Sequence, residues 1–320
     1  MLAEMTARPL LRLGTRGSAL ALAQTAEVRR RLADAHPELG EDGAIETVVI
    51  KTTGDRIQDR TLADVGGKGL FTKEIEEALL DQRIDAAVHS MKDVPTWLPE
   101  GLAIAAILPR EDPRDALFTP HGKDLAALPA GAVVGTASLR RQAQVLLARP
   151  DLKVAPLRGN VGTRLRKLDE GQVDATLLAV AGLRRLNMGD RITAVLTPEE
   201  MLPSVAQGAL GIEVREDDAR VRDYIEALDD PESERRVAAE RACLAVLDGS
   251  CRTPIAALAE TEEGGAALRL RALVCMPDGS KAHRAERRGP PAHAARLGRD
   301  AGEELRGAAG PAFFAALAHS

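Results

Sequence analysis

Short apolar strands alternate with helix-patterned segments over the first two thirds of the chain. This alternation constrains the fold more than any other feature. Leu10 to Gly14 reads as a strand ending in Thr15-Arg16-Gly17-Ser18, where Ser18 is placed to cap an Ala- and Leu-rich helix that runs to about Asp34. Ile45 to Lys51 is the next strand, rich in β-branched residues. A polar loop follows, as far as Val65-Gly66-Gly67-Lys68-Gly69. The spacing of Phe71, Ile75, Ala78 and Leu79 then predicts a helix from Phe71 to Arg83. Ile84 to Val88 reads as a buried strand, with His89-Ser90-Met91-Lys92-Asp93-Val94-Pro95 as the loop after it. Strands separated by helices imply parallel pairing, with helices on both faces of the sheet.

Glu111-Asp112-Pro113-Arg114-Asp115 is polar and broken by proline, and reads as a hinge. The alternation then restarts. Strands are expected at Val133 to Gly135, Val154 to Leu157 and Asp174 to Ala179, and helices at Ser138 to Ala148 and Val161 to Asp169. Pro203 to Val214 holds a further apolar strand that can cross back to the first unit. From Pro231 the character changes to a helix over Arg235 to Leu247 and the loop Asp248-Gly249-Ser250-Cys251-Arg252. Two strands follow (Ile255 to Ala259, Ala267 to Val274), then a last helix after Pro290-Pro291. The boundaries expected are residues 1–110 completed by about 208–228, then 111–207, then 229–320. Two α/β units joined by hinge segments enclose a cleft, and ligands bind at the C-terminal ends of the strands.

Composition excludes several classes. A chain of 320 residues with 45% hydrophobic and 28% charged residues folds rather than staying disordered. It has no apolar run of about 18 residues, and its first residues lack a secretory pattern, so a cytoplasmic protein is expected. The three cysteines, Cys243, Cys251 and Cys275, lack C-x-x-C spacing and fit neither a disulfide framework nor a four-cysteine zinc site. No metal site is expected, because His89 has no ligand partners in the sequence around it. With 2% aromatics and a net charge of −5, no nucleic-acid footprint is present.

Within this acidic chain, Ser138 to Leu168 carries eight basic residues (Arg140, Arg141, Arg149, Lys153, Arg158, Arg164, Arg166, Lys167) against Asp151 alone. On a generic chain such a run is a solvated helix face. Six of the eight are arginines, the residue suited to bidentate carboxylate binding. Arg140-Arg141 and Arg158-Gly159-Asn160 also open helices directly after strands, where backbone amides already favour anions. Lys92-Asp93 is either an exposed lysine beside a turn-forming aspartate or a fixed carboxylate that stabilises a cationic intermediate or handles protons. Cys243 and Cys275 lie among apolar neighbours, as inert buried thiols do, whereas Cys251 sits in a small-residue loop beside Arg252, a setting that favours thiolate.

In order along the chain, these segments resemble the porphobilinogen deaminase (hydroxymethylbilane synthase) family. They are Thr15-Arg16-Gly17-Ser18, Val65 to Phe71, His89 to Pro95, Arg110 to Asp115, Ser138-Leu139-Arg140-Arg141, Leu157 to Arg164, Leu178 to Arg185, Gln207-Gly208-Ala209 and the Cys251 loop. The resemblance implies a fold of two periplasmic-binding-protein-like α/β domains with a hinge and cleft, plus a smaller C-terminal α+β domain. It implies a transferase that condenses four porphobilinogen molecules head to tail on a dipyrromethane cofactor. Ammonia is lost at each step, and hydroxymethylbilane is then released by hydrolysis. The cofactor would be held by a thioether to Cys251. Each pyrrole carries an acetate and a propionate, which gives the arginine-rich segment a polyanion to neutralise.

Carried over residue by residue, the resemblance makes Asp93 the catalytic carboxylate, stabilising the azafulvene cation left when ammonia departs. Ser90, Lys92, Asp93, Thr136, Ser138, Arg140 and Arg141 become cofactor contacts. Arg16, Ser18, Arg158, Arg164, Arg185 and Gln207 become substrate contacts, and Lys68 and Phe71 belong to a lid loop. It further implies a cytoplasmic monomer that binds neither membrane nor nucleic acid and whose product goes to uroporphyrinogen-III synthase. Three positions depart from the family pattern: Ala137 for a small hydroxyl residue, and Ala206 and Ser250 for glycines, with minor backbone consequences expected. A non-catalytic two-domain anion-binding protein would share the architecture but has no need of Lys92-Asp93 or Cys251. A metal-dependent transferase would need a ligand cluster that the sequence lacks.

Overall fold

The structure, a computed structural model, describes residues 9–56, 69–247 and 253–318. Lys68, Ser250 and Cys251 lie outside the described residues. The strands are β1 Leu11–Arg16, β2 Ile45–Ile50, β3 Ala86–Ser90, β4 Leu102–Ile107, β5 Asp115–Phe118, β6 Val133–Gly135, β7 Lys153–Ala155, β8 Ala175–Ala179, β9 Ala194–Val195, β10 Leu210–Arg215, β11 Ile255–Glu262, β12 Ala267–Cys275 and β13 Ala282–Gly289. The helices are α1 Ala19–Ala35, α2 Thr53–Arg56, α3 Lys73–Leu80, α4 Leu139–Ala148, α5 Val161–Asp169, α6 Val180–Arg185, α7 Ala219–Glu226, α8 Pro231–Val246 and α9 Ala294–Ala318. The chain forms two compact units. The first comprises the described residues up to 56 with Gly69–Pro109 and Leu210–Pro231, and the second comprises Arg110–Ala209 with the described residues from 232 onward.

The first unit is a five-stranded sheet in the order β2-β1-β3-β10-β4. Its β1 pairs parallel with β2 and β3, as strand–helix alternation requires. Contrary to the all-parallel expectation, β10 runs antiparallel between β3 and β4. The reason is connectivity: β10 enters this sheet after an excursion of about a hundred residues, free of the crossover rule that orients consecutive strands. One face buries Val28 and Leu32 of α1 and Val221 and Ile225 of α7 against Leu11, Leu13, Val88 and Ile212. The other buries Ile75, Ala78 and Leu79 of α3 against Ile50, Ala87 and Leu102. Each Leu, Ile or Val among them contributes about 1.5–3 kcal/mol on burial.

The α3 helix is shorter at both ends than its apolar spacing predicts. Gly69, with φ of 84°, starts a turn whose carbonyl accepts from the backbone N–H groups of Thr72 and Lys73, so Phe71 lies before the helix. Gln82 in the left-handed region (φ 57°) ends it. The strand expected at Ile84 to Val88 is shifted to Ala86–Ser90, which puts His89 and Ser90 in the sheet.

The second unit contains a sheet in the order β7-β6-β8-β5-β9, again mixed, with β5 antiparallel to β8 and β9. Period-two alternation is explicit in β5: Leu117 faces one core with Val134 and Val145, while Ala116 and Phe118 face the other with Leu165 and Leu183. Side chains of Ser138 and Asn160 cap α4 and α5 by accepting from the backbone N–H groups of Arg141 and Thr163. The same unit holds the antiparallel sheet β11-β12-β13, whose third strand sequence patterning missed because of its many charges. Gly298 of α9 is required where it crosses α8, since a Cβ there would stand 2.1 Å from the Ala239 carbonyl oxygen.

A buried glutamate ties this unit together. Glu240 of α8 accepts from Arg110 Nη1 at 2.6 Å and Nη2 at 3.1 Å, and from the backbone N–H groups of Ala206 at 2.6 Å and Ala259 at 2.8 Å. Ala206 itself has φ of 56°, where an L-residue pays roughly 1–2 kcal/mol. This backbone strain exceeds the minor consequence expected from its small size, and it explains why glycine suits the position. Ala206→Gly is therefore expected to raise stability to chemical denaturation by about 0.5–1 kcal/mol. Glu240→Gln should lower it by about 3–5 kcal/mol by stranding the Arg110 charge.

Candidate active site

In the first unit, parallel pairing of β1 with β3 brings the C-terminal tips of the two strands side by side. Beyond Ser90, the chain makes one 3-10 turn, Met91–Asp93, anchored by the buried Met91 and closed by the Val94 N–H donating to the Met91 carbonyl. Asp93 sits at the end of that turn with its carboxylate half-exposed. Arg16, at the tip of β1, places Nη1 3.8 Å from Asp93 Oδ2, and its guanidinium carbon lies 4.1 Å from the Phe71 ring centroid. An exposed pair of this kind is worth roughly 0–1 kcal/mol net, so a ligand carboxylate can compete for the guanidinium.

Ser90 Oγ accepts from Gln24 Nε2 at 2.7 Å. Gln24 is buried on α1 and escaped the sequence reading. The available signal was a polar residue in helical register with Val28 and Leu32 on an apolar face. Lys92 is half-buried in the same turn. Ser18 is spent on the cap of α1, accepting from the Ala21 N–H at 3.2 Å. His89 is buried, its Nε2 2.8 Å from Glu213 Oε2, which agrees with a packed, hydrogen-bonded histidine. Among the described residues, no group of three or more His, Cys, Asp or Glu side chains is placed to hold a metal ion.

In the second unit, the residue read as the end of a polar hinge is the organising centre. Asp115 opens β5 and is fully buried. Its Oδ1 accepts from Arg141 Nη2 at 2.8 Å and from Gln207 Nε2 at 2.9 Å, and its Oδ2 lies 2.7 Å from Arg140 Nη1. Burial pushes the Asp115 carboxyl up, but the charges and hydrogen bonds of Arg140 and Arg141 outweigh it and hold the group well below the usual carboxylate range. Arg140 also donates to the Leu202 carbonyl and Arg141 to the Leu177 carbonyl. Gln207 donates to the Pro113 carbonyl at 2.7 Å, and Arg185 donates to the Gly208 carbonyl at 3.2 Å. Thr136 Oγ1 accepts from the Ser138 N–H at 3.1 Å, across the exposed Ala137.

The basic segment therefore divides by environment. Arg149 pairs with Asp151 and donates to the carbonyls of Leu125, Ala126 and Leu128, so it closes a loop. Arg166 faces Glu170 at the surface. Arg140 is held by Asp115, Lys153 is exposed and Lys167 reaches the Arg158 carbonyl, which leaves a cationic cluster of Arg141, Arg158 and Arg164. Arg141 Nε and Arg158 Nη1 are buried with no hydrogen-bond partner among the described residues. Burial first, then the neighbouring charges of Arg141 and Arg158, pull the Arg164 guanidinium down to about 10. Unspent buried donors beside crowded positive charge call for anionic ligands. An acid-bearing dipyrromethane fits that donor set. Cys243 and Cys275 are both buried, and burial pushes their thiols up to about 12 and about 11, away from the reactive thiolate.

Fold and donors together define an α/β protein built to hold a polycarboxylate, with a carboxylate of its own at a strand tip. Comparison with known proteins narrows the class. A family profile described as "Porphobilinogen deaminase, dipyromethane cofactor binding domain" matches residues 11–223, and one described as "Porphobilinogen deaminase, C-terminal domain" matches residues 235–307. "Porphobilinogen deaminase, chloroplastic" of Oryza sativa subsp. japonica is 57% identical over 310 residues, covering 96% of this chain and 86% of that protein. "Porphobilinogen deaminase" of Nitrobacter winogradskyi is 57% identical over 309 residues, covering 97% and 96%. Among solved structures, an ABC transporter periplasmic substrate-binding protein from Coxiella burnetii aligns with 72% of this chain and 96% of its own, at 17% identity and a TM-score of 0.43. The chain belongs to the porphobilinogen deaminase family, whose cofactor is dipyrromethane.

Asp115→Asn should strand two buried guanidinium groups and cost about 3–5 kcal/mol at pH 7. A depressed carboxyl contributes stability that is full above the unfolded value, about pH 4, and is lost as pH falls through the folded value. The wild-type advantage in urea denaturation should then be constant from pH 5 to 7, begin to narrow near pH 4, and go on narrowing as the pH falls further towards the folded value. Equal stabilities at pH 7 would remove Asp115 from this role.

Proposed function

We propose that this chain is a transferase that assembles hydroxymethylbilane from four porphobilinogen molecules, releasing one ammonia per unit added. The observation that carries the reading is the cluster of Arg141, Arg158 and Arg164, with buried donors left over after Asp115 has taken its share. Porphobilinogen brings two carboxylates per ring, and a growing chain needs a neutralising field that one or two lysines would not supply. When bound, the dipyrromethane supplies a nucleophilic pyrrole carbon and a covalent anchor for the growing chain. Its attachment is assigned to the thiol of Cys251, and residues 229–320 are assigned to a domain that presents it.

The residues of this chain then take distinct parts. Arg140 and Arg141, held by Asp115, present fixed positive charge to acid side chains, with Thr136 and Ser138 at the same helix start as further hydrogen-bonding partners. Arg16, Arg158 and Arg164 are assigned to substrate carboxylates. Ser18, Arg185 and Gln207 are assigned to the substrate as well, each positioned by a bond inside the protein: the α1 cap, the Gly208 carbonyl and the Asp115 carboxylate. Asp93 faces the pyrrole N–H as ammonia leaves, stabilises the cation that develops there, and accepts the proton released when the new bond rearomatises. Ser90 and Lys92 frame the same turn, with Gln24 fixing the Ser90 hydroxyl. Lys68 and Phe71 belong to the segment that covers the reacting groups and excludes water.

No described helix is long and apolar enough to cross a membrane. We assign the enzyme to the cytoplasm as a monomer that passes its product to uroporphyrinogen-III synthase.

Intact-mass analysis tests the assignment. Protein from porphobilinogen-producing cells should exceed the sequence mass by two pyrrole units, and Cys251→Ala should lack the excess. An unmodified wild-type mass would overturn the reading. Asp93→Asn should keep the added mass but lose about 10²–10³ in kcat, with Asp93→Glu retaining more. Arg158→Leu or Arg164→Leu should raise KM or stall elongation, visible as accumulated intermediates by mass. Unchanged kinetics in both would place these arginines outside the site.

A further inference from the structure

The Arg16 guanidinium has two neighbours whose joint effect on its position the functional reading leaves unexplained. Its Cζ lies over the Phe71 ring, 4.1 Å from the centroid, and Nη1 is 3.8 Å from Asp93 Oδ2. The ring in turn rests on Gly54. A Cβ at Gly54 would stand 2.2, 2.4 and 2.8 Å from three Phe71 ring carbons, so the aromatic ring occupies the space any other residue would need. The seat is braced independently. Gly54 N–H donates to the Leu70 carbonyl at 2.8 Å, and the Glu74 carboxylate of α3 accepts from the Thr53 N–H at 2.8 Å and from the Thr53 hydroxyl. The turn carrying Gly54 and the segment carrying Phe71 are therefore tied together, with the ring lying between glycine and arginine.

We propose that Phe71, seated on Gly54, is a positioning residue that sets the Arg16 guanidinium against Asp93, and that Gly54 is the position on which this seat depends. The inference rests on the reading of Arg16 and Asp93 given under Proposed function. A ring packed over the guanidinium carbon restricts rotation about the long side chain. A guanidinium held in this way is pre-set for a planar carboxylate arriving beside Asp93. In this role Gly54 and Phe71 act through the position of Arg16 and not on a reacting atom, and the covering part given to Phe71 above is separate from it.

Double-mutant kinetics on the loaded enzyme test this. Gly54→Ala and Phe71→Leu should each raise KM for porphobilinogen about 3- to 10-fold, with a smaller change in kcat. Phe71→Tyr keeps the aromatic face and should give a rise below about threefold. Because Gly54 acts through the ring, adding Gly54→Ala to Phe71→Leu should cost no more than Phe71→Leu alone. The Arg16 Nε–H proton resonance should lie upfield from the ring current and move downfield in both single variants, provided that circular dichroism shows them folded. Additive KM effects, an unchanged KM in Phe71→Leu, or an Arg16 resonance indifferent to Phe71 would overturn the proposal. A wild-type chain that fails to consume porphobilinogen would instead overturn the functional reading, and the Arg16 resonance would still decide whether Gly54 and Phe71 set that side chain.

Discussion

Asp115 is a carboxylate sealed inside the second unit, and the chemistry assigned to that unit depends on what it binds. Two guanidinium groups and one amide converge on it. Burying a charge is costly, and burying three is tolerated only because each finds a partner of opposite sign or a carbonyl. The consequence goes beyond stability. With Nη2 committed to Asp115 and Nη1 to the Leu177 carbonyl, Arg141 cannot swing to follow solvent, and its Nε is left buried without a partner. Arg158 and Arg164 complete a positive region in which burial first, and the charges of Arg141 and Arg158 second, pull the Arg164 guanidinium down. Such a region is unfavourable alone and favourable with a polycarboxylate present.

The first unit uses the opposite sign sparingly. Asp93 stands at the tip of β3, lightly paired with Arg16, while the heavier electrostatic work around β3 is internal. His89 and Glu213 pair beneath the same strand, and burial, with the Glu213 charge as a lesser cause, raises the nearby Glu76. A weakly paired carboxylate on a rigid turn is available to a cation that appears and disappears within a catalytic cycle. Preorganisation of that kind is where enzymes gain most of their electrostatic stabilisation.

Much of this was legible in the sequence because it is local. Ser18 was placed to cap a helix and does so, and the helices expected at Ser138 to Ala148 and Val161 to Asp169 form as α4 and α5. What escaped is non-local. Asp115 sits in a proline-broken polar run, the pattern of a loop, and only the fold shows that its partners lie 25, 26 and 92 residues away. Glu240 and Gln24 are polar residues on helix faces whose partners come from other elements. The eight basic residues from 138 to 168 read as one field, yet Arg149 and Arg166 have local acidic partners and only a subset is available to a ligand. The antiparallel course of β10 was likewise invisible to a rule that orients successive strands.

The central claim is that fixed arginines recognise the acid side chains of a pyrrole. The most direct test compares porphobilinogen with an analogue whose acetate and propionate are converted to carboxamides, leaving the ring and the aminomethyl group intact. Ammonia release from the neutral analogue should fall by at least about 10²-fold in kcat/KM, the loss expected when buried charged donors face groups that cannot pair with them. Ammonia release at a comparable kcat/KM from both compounds would contradict the account.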